Sequence, residues 1–483
     1  MADGTVEDEP SDGGTTDERR LVRVWRRVLG LSAPVMAEQV LRTLMRTTDL
    51  VVAGFFSPAA VAAVGLADIY ARLPLRIGLG VGDGAIALSS QDTGADATAN
   101  RDQAVTQALL IGILVGLPFV VFGLLFNEFA IAVLGGLAEE GAIAEVVEYG
   151  SVYLLIIMLS APAVHVNFIA ARSIQGTGDT RTPMYVNGVV NALNIVATVG
   201  LAFGVGPLPE LGIVGIAAAT AVADTLGALT FLAFIRSPLS ELGYARPRRL
   251  VVARQLLIIS WPRVAEGLSE MVAEFPFNAI LLAFGTEVNA AYHIGRRMYQ
   301  QVASPLARGY AVGANVLVGQ SLGAGDPDGA YYLGAASTAL SLLTIGGLCA
   351  ALFVLAERFV LVFTRDPTTV GYATGFAEAY AIAAVFIAAY ATLAGSLRGG
   401  SETLAPFVAR IVGTFVFLLG FTYVVGVLLG YGVVAAYVAV VLDFAFRVCY
   451  LAVVFYRRRW VVRGTTMMHE RGSVEEVDVP TED

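Results

Sequence analysis

Ionisable side chains occur at helical spacing within an apolar segment near the start of the chain. Glu38, Arg42, Arg46 and Asp49 are separated by four, four and three residues, so all four lie on one helix face. Inside a membrane such a group costs about 2.5 to 3.5 kcal/mol, so it needs a partner or a water-filled cavity. Glu38 and Arg42 can pair one turn apart. Asp49 is more isolated, because its nearest helical partner, Arg46, is shared with the network of Arg42.

A second apolar segment, in the middle of the chain, carries an acidic stripe made of Glu266, Glu270 and Glu274. Like charges one helical turn apart disfavour joint ionisation, which favours uptake of a proton or a cation. Within the same helix only Arg263 can offset them. The alternative is pairing with arginines of the next segment, which are Arg296, Arg297 and Arg308.

Uncharged polar residues form a further candidate set beside the first-segment carboxylates. These cleft residues, together with Glu38, are Asn167, Asn191, Asn194 and Thr198. Their oxygens can orient a carboxylate or coordinate a cation, and packing between helices explains such residues equally well.

The elements that position these groups are transmembrane helices. Hydrophobic residues make up 56% of the 483 residues and charged residues only 15%, which is far from a soluble domain of this size. Runs of about 20 apolar residues recur from end to end, and each is long enough to span a bilayer as a helix. The predicted spans are 29–56, 59–90, 105–126, 146–170, 184–205, 212–235, 255–284, 289–319, 331–355, 376–397, 407–429 and 432–456.

An internal repeat divides these spans into two halves. LSAPVMAE at 31–38 recurs as ISWPRVAE at 259–266, and SSQDTGA at 89–95 recurs as VGQSLGA at 318–324. Six spans separate each copy, so the halves have the same orientation in the membrane, and a binding site is expected between them. The predicted fold is an all-α polytopic membrane protein of 12 transmembrane helices in two parallel six-helix repeats around a central cleft.

The domain boundaries and the orientation follow from the charges. We expect a disordered tail at 1–28, lobes at 29–235 and 255–456, a cytoplasmic linker at 236–254 and a cytoplasmic tail at 457–483. Arginine clusters before span 1, in the linker and after span 12 place both termini in the cytoplasm by the positive-inside rule. The net charge of −9, with arginine as the only strongly basic residue type, favours a halophile, and high-GC coding bias is the alternative explanation for the absence of lysine.

Several motifs resemble those of the multidrug and toxin extrusion (MATE) family. They are Pro34 followed by Asp49 and AAVGLA at 62–67, RSIQGTGDTRTP after span 4, VGQSLGAGDPDGA after span 8 and GSLRGGSET after span 10. The resemblance covers about residues 29–456. It implies a plasma-membrane antiporter that is driven by H⁺ or Na⁺ and expels small organic, cationic or amphipathic compounds.

The resemblance also assigns roles to individual residues. Asp49 matches the family's first-span aspartate and Glu270 a seventh-span glutamate, both used for coupling, so Na⁺ at either is a possible metal site. The chain departs from the family pattern at Thr198 in span 5, where some relatives have an aspartate, and it lacks a span-10 aspartate. The loop glycines are expected to end helices and act as hinges, and they are Gly176, Gly178, Gly323 and Gly399.

Two other functions remain open. Arginines in spans 1, 2 and 8 keep a lipid-linked polysaccharide flippase of the same superfamily as the alternative. A membrane enzyme is disfavoured, because the sequence has no nucleotide loop and only three histidines. We expect no cofactor and no nucleic-acid partner, and we expect a monomer in the lipid bilayer.

Overall fold

The computed structural model describes residues 16–135 and 143–474, and the regular structure of these residues is helical throughout. Twelve spans follow the predicted order. Their bounds are Thr16–Gly54, Pro58–Gly94, Thr98–Gly135, Ile143–Leu159 with Ala161–Gly176, Arg181–Phe203, Gly212–Arg236, Leu250–Phe284, Thr286–Gly323, Pro327–Val354, Pro367–Gly399, Leu404–Leu428 and Val433–Tyr456. Span 4 bends by 46° between its two helices. Short helices at Ala356–Val360 and Arg459–Glu470 complete the described chain.

Length and apolarity alone identify fewer spans than the fold contains. Within the described residues nine helices pass as membrane-crossing, or ten when the bent pair of span 4 counts as one. Spans 1 and 8 fall short because of their charged residues, such as Asp49 and Arg308. Both spans lie where the N-lobe (spans 1–6) meets the C-lobe (spans 7–12). Arg308 reaches Gln39 of the N-lobe, whereas Asp49 is bonded to spans 5 and 6 within its own lobe.

The internal repeat appears in the structure as a pair of equivalent lobe contacts. A Cβ atom added to Gly313 of span 8 would lie 2.5 Å from the hydroxyl of Ser32 in span 1. Its counterpart at Gly84 of span 2 would lie 2.6 Å from the hydroxyl of Ser260 in span 7. Span 1 therefore packs on span 8 as span 7 packs on span 2, and glycine permits the close approach.

The same symmetry closes the lobes together at the linker face, which we define as the membrane face that carries residues 237–249. The side-chain amide of Gln91 donates to the carbonyl of Gly399 at 2.6 Å. In the other half, Gln320 donates to the carbonyl of Gly176 at 3.1 Å. Buried backbone carbonyls at two helix ends thus receive their hydrogen bonds from the opposite lobe.

The C-terminal helix Arg459–Glu470 strengthens this closure. It packs on the C-lobe through Trp460, which is 1% exposed. Beyond the helix end, Arg471 enters the N-lobe and is also 1% exposed. Its guanidinium lies 2.6 Å from the Asp92 carboxylate and donates to Gln91 at 3.0 Å. One buried arginine therefore ties the end of the described chain to the end of span 2.

The expectation of a disordered tail at 1–28 is wrong for the part of it that the structure describes. Span 1 begins at Thr16, and Trp25 donates to the Ala336 carbonyl of span 9 at 3.0 Å. Residues 459–470 are helical because their apolar side chains, including Met468, pack on one side of the helix. The acidic stretches at 1–15 and 475–483 lie outside the described residues.

Candidate functional site

A cleft separates the lobes on the face opposite the linker. The polar contacts between lobes that lie farthest from the linker face are Arg76 with Glu270, at 3.1 Å, and Arg308 with Gln39, at 3.4 Å. Among the described residues, no hydrogen bond or ion pair joins 43–75 of the N-lobe to 271–305 of the C-lobe. Polar contacts thus join the lobes on the side of the linker face, and the exposed side chain of Arg308, at the outermost of these contacts, marks the inner end of the cleft.

Asp49 lies within the N-lobe and is 6% exposed. Its carboxylate accepts hydrogen bonds from Thr198, at 3.1 Å, and from Thr220, at 3.4 Å. Thr198 lies 3.2 Å from the side-chain oxygen of Asn194, so its single proton is shared between two acceptors. No described arginine or histidine forms an ion pair with Asp49. Asp49 thus has hydroxyl donors and no ion pair among the described residues, and its role as a coupling site stays a prediction.

Glu38 has different surroundings, although it lies on the same helix. It forms the predicted ion pair with Arg42 at 3.1 Å. Asn187 donates to the same carboxylate at 3.0 Å and Gln175 at 3.4 Å. With one cation and two amides as donors, Glu38 is a satisfied buried carboxylate and a less suitable ion site than Asp49.

Further polar groups extend the Asp49 site along the interior of the N-lobe. Asp224 lies one turn after Thr220 on span 6 and interacts electrostatically with Arg42 and Arg46. In the described chain it forms no ion pair and no hydrogen bond. The predicted cleft residues Asn167 and Asn191 each keep one buried amide atom without a partner. The atom of Asn167 is the amide oxygen, which a cation or a water molecule can satisfy, and that of Asn191 is the amide nitrogen, a donor that a water molecule can satisfy.

The acidic stripe of span 7 is surrounded by arginines. Glu266, 1% exposed, lies 2.8 Å from Arg398, 2.9 Å from Arg410 and 3.1 Å from Arg263. Tyr390 also donates to it at 2.9 Å. Each carboxylate oxygen has cationic donors, so Glu266 organises the C-lobe structurally and has no room for a further cation.

Glu270 and Glu274 are neutralised in the same way. Glu270 lies 3.1 Å from Arg76, 3.7 Å from Arg410 and 3.9 Å from Arg296. Glu274 lies 3.1 Å from Arg296. The expectation that Glu270 is isolated between two other glutamates is therefore wrong, because arginines from spans 2, 8 and 11 surround it. The alternative partners were only partly right, since Arg296 pairs with the stripe while Arg297 and Arg308 do not.

The two candidate cation sites therefore differ in how well they suit Na⁺. Hard cations take oxygen ligands, and Asp49 offers a carboxylate beside the hydroxyl oxygens of Thr198 and Thr220 and the amide oxygen of Asn194. Glu270 offers a carboxylate among three guanidinium groups, which repel a cation. No cluster of three His, Cys, Asp or Glu in the described part of the chain is arranged to hold a metal ion.

Only one of the four predicted hinge glycines has the expected backbone conformation. Gly178 has φ +98°, a value that favours glycine. Gly176, Gly323 and Gly399 allow close approach instead. A Cβ at Gly399 would lie 2.5 Å from the Asn315 carbonyl, and one at Gly323 would collide with the carbonyl of Gln91 across the lobe boundary.

Sequence reasoning missed several functional contacts. Thr220, Arg398 and Arg410 were not singled out, although each is a polar residue in or at the end of an apolar span. The rule that every intramembrane charge needs a partner applies to Arg410 as much as to Glu266, and it would have linked the two. The ion pair between Asp92 and Arg471 left no local pattern, because 379 residues separate its members.

Comparisons with known proteins agree with this architecture. The MatE family model matches residues 34–199 and 262–424, one segment in each lobe. A probable multidrug resistance protein NorM of Thermotoga maritima is 26% identical over 445 residues, which cover 91% of this chain and 94% of that protein. The multidrug resistance protein NorM of Vibrio cholerae is 27% identical over 83% of this chain and 87% of its own length.

A solved structure supports the fold. It is described as the outward-facing conformation of a multidrug resistance MATE family transporter of the MOP superfamily. Its TM-score is 0.80 at 18% sequence identity, with 94% of this chain and 100% of that chain covered. At this identity the match supports the arrangement of the helices and nothing about the cargo.

Proposed function

Because the chain belongs to the MatE family, we propose that it is a multidrug efflux antiporter driven by an inward flow of H⁺ or Na⁺. The isolated carboxylate of Asp49 carries this proposal, because it is buried, accepts only hydroxyl hydrogen bonds and has no described cationic partner. The family is one of transporters and not of enzymes. We also propose that the protein works as a monomer in the plasma membrane, with small amphipathic organic compounds as its cargo.

The coupling mechanism follows from the charge state of Asp49. A buried carboxylate without a cation nearby is costly, so binding a proton or Na⁺ stabilises the N-lobe arrangement in which Asp49 is enclosed. Release of the ion favours a state in which the carboxylate is hydrated. The ion shifts the equilibrium between the two access states only by its difference in affinity for them.

We further propose that the linker face is cytoplasmic, so that the described state is open to the outside. The arginines near this face, including Arg248 and Arg249, support this orientation through the positive-inside rule. Leu239, in the linker, and Val362, on the opposite face, are both highly exposed and are suitable positions for introduced cysteines. A membrane-impermeant thiol reagent added to intact cells should label Val362→Cys and not Leu239→Cys. Labelling of Leu239→Cys alone would reverse the orientation.

The function is tested by efflux of a fluorescent dye from proteoliposomes under an imposed Na⁺ gradient and, separately, an imposed pH gradient. Gradient-dependent dye movement supports the antiporter and identifies the ion. Dye movement that is the same with and without either gradient would refute the coupling.

The lipid-linked polysaccharide flippase stays the second candidate, because the arginines around span 7 line the inner end of the cleft. A flippase moves a fluorescent lipid between leaflets in the same proteoliposomes. Lipid movement without dye efflux would replace the antiporter with the flippase.

A further inference from the structure

The inner end of the cleft holds more positive than negative charge. A continuous ion-pair network connects six arginines with four carboxylates there. The arginines are Arg76, Arg172, Arg263, Arg296, Arg398 and Arg410, and the carboxylates are Asp83, Glu266, Glu270 and Glu274. The surplus of two positive charges means that this end of the cleft attracts anions.

Arg308 adds a third positive charge, and it has no carboxylate partner. In the described chain its guanidinium makes one side-chain hydrogen bond, to the Gln39 amide oxygen at a long 3.4 Å. The side chain remains exposed to the cleft. An arginine held in the membrane beside another cation, with free N–H donors, is in an unfavourable position unless an anion joins it.

The position of Arg308 suits a ligand that enters the open cleft. The next residue, Gly309, packs against the Ser32 carbonyl of span 1, with 2.8 Å between that oxygen and an added Cβ. The lobes are therefore in contact on the linker-face side of Arg308 and separate on its other side. Tyr299 lies on the same helix toward the open face, and its ring stacks on Tyr380 with 5.7 Å between centroids. A ligand would thus meet an aromatic surface first and the guanidinium at the bottom.

We propose that Arg308, Arg76 and Gln39 form an anion subsite at the bottom of the cleft, which binds a carboxylate, sulfonate or phosphate group of an aromatic or otherwise apolar cargo. The claim that the bound anion is a transported cargo rests on the proposed efflux function, whereas anion binding itself does not. Guanidinium N–H groups match the oxygens of such anions in a bidentate geometry.

The subsite changes the expected charge of the cargo. The resemblance to the MATE family implies cationic or amphipathic compounds, and a cation is repelled by Arg308 and its neighbours. Negative groups without a cationic partner occur instead in the N-lobe, at Asp49 and Asp224. The coupling cation and the anionic group of the cargo therefore occupy different parts of the protein.

The test measures binding of an anionic aromatic sulfonate dye and of a cationic aromatic dye to the purified full-length protein by equilibrium dialysis. Arg308→Gln should weaken sulfonate binding about tenfold or more, as expected for loss of charge-assisted hydrogen bonds, and leave the cationic dye unaffected or bound more tightly. Arg308→Lys keeps the charge and should recover part of the affinity. Arg358→Gln removes an exposed arginine of the short helix Ala356–Val360, between spans 9 and 10, and serves as the control for net charge.

A second arm identifies the source of the anion. Nanodiscs of neutral phosphatidylcholine are compared with nanodiscs that contain anionic phosphatidylglycerol. Competition of phosphatidylglycerol with the sulfonate dye, lost in Arg308→Gln, assigns the subsite to a lipid headgroup. Sulfonate binding that is indifferent to the lipid assigns it to a soluble organic anion. Both results support an anion subsite.

Equal sulfonate affinity in wild type and Arg308→Gln, with both proteins monodisperse on size exclusion, would overturn the subsite. Failure of the proposed function looks different, because then no dye of either charge moves under a gradient. If dyes move but sulfonate binding ignores Arg308, the efflux function stands and the subsite does not.

Discussion

Removing Arg471 should open the linker face. Arg471 and Asp92 are both almost fully buried, and the guanidinium also donates to Gln91 and, at 3.3 Å, to Gln255. Arg471→Ala leaves the Asp92 carboxylate buried with the Ser473 hydroxyl, at 2.8 Å, as its remaining side-chain donor. Breaking a buried pair from one side costs about 3 to 5 kcal/mol. Asp92 can avoid this cost when the lobes separate and water reaches it.

The expected shift in the equilibrium between the closed and the open linker face is therefore large. A cost of about 3 to 5 kcal/mol corresponds to about two to four powers of ten in the ratio of closed to open linker face, at 1.36 kcal/mol per tenfold change. Even if half of the cost is relieved by local rearrangement, the open population should become measurable. Arg471→Ala with Asp92→Asn removes both charges, so the double variant should return toward the closed state.

The assay is the distance between spin labels on two exposed positions at the linker face, Leu239 in the linker just after span 6 and Leu404 at the start of span 11. Cys349 and Cys449 are first replaced by serine or alanine, because both are free thiols. Wild type should give one short distance and Arg471→Ala a longer one. An unchanged distance distribution in Arg471→Ala, at equal thermal stability, would refute the view that this pair holds the lobes together.

Three other substitutions distinguish residues that couple transport to an ion from residues that maintain the structure. Asp49→Asn should abolish the response of dye efflux to an ion gradient. The control, Asp68→Asn, alters an exposed ion-paired carboxylate of span 2 and should keep this response. Loss of the response in both variants would contradict the special role of Asp49. Glu266→Gln leaves three arginines with a neutral partner and should lower the free energy of unfolding by about 3 to 5 kcal/mol, measured by thermal or denaturant unfolding. Gly399→Val should impair transport more than cargo binding, because its side chain would collide with span 8, and normal transport would show that the helices can separate there at no cost.

The sequence predicts those features that depend on neighbours along a helix. The pair of Glu38 with Arg42 is one turn apart in span 1, and it forms. The twelve spans and the repeat are also readable, because apolar length and motif offset are properties of the chain itself. The structure then shows the repeat as matched contacts at Gly84 and Gly313.

Contacts between distant spans explain what the sequence could not show. Glu270 was expected to be isolated because its own helix holds mostly acids, yet Arg76 and Arg410 reach it from other spans. Whether a carboxylate in a membrane is free or paired depends on helices that are adjacent in space. Asp49 is the opposite case, because its isolation within span 1 persists when the other helices surround it.

The partnership of Asp92 with Arg471 also has a consequence for biogenesis. The N-lobe is synthesised first, and 379 residues separate Asp92 from its partner. At about 5 to 20 residues per second, the ribosome needs about 20 to 80 s to make that stretch. Throughout this interval Asp92 lacks its arginine partner, so the closure at the end of span 2 cannot form. The closure of the linker face through Arg471 can therefore form only after translation has passed residue 471.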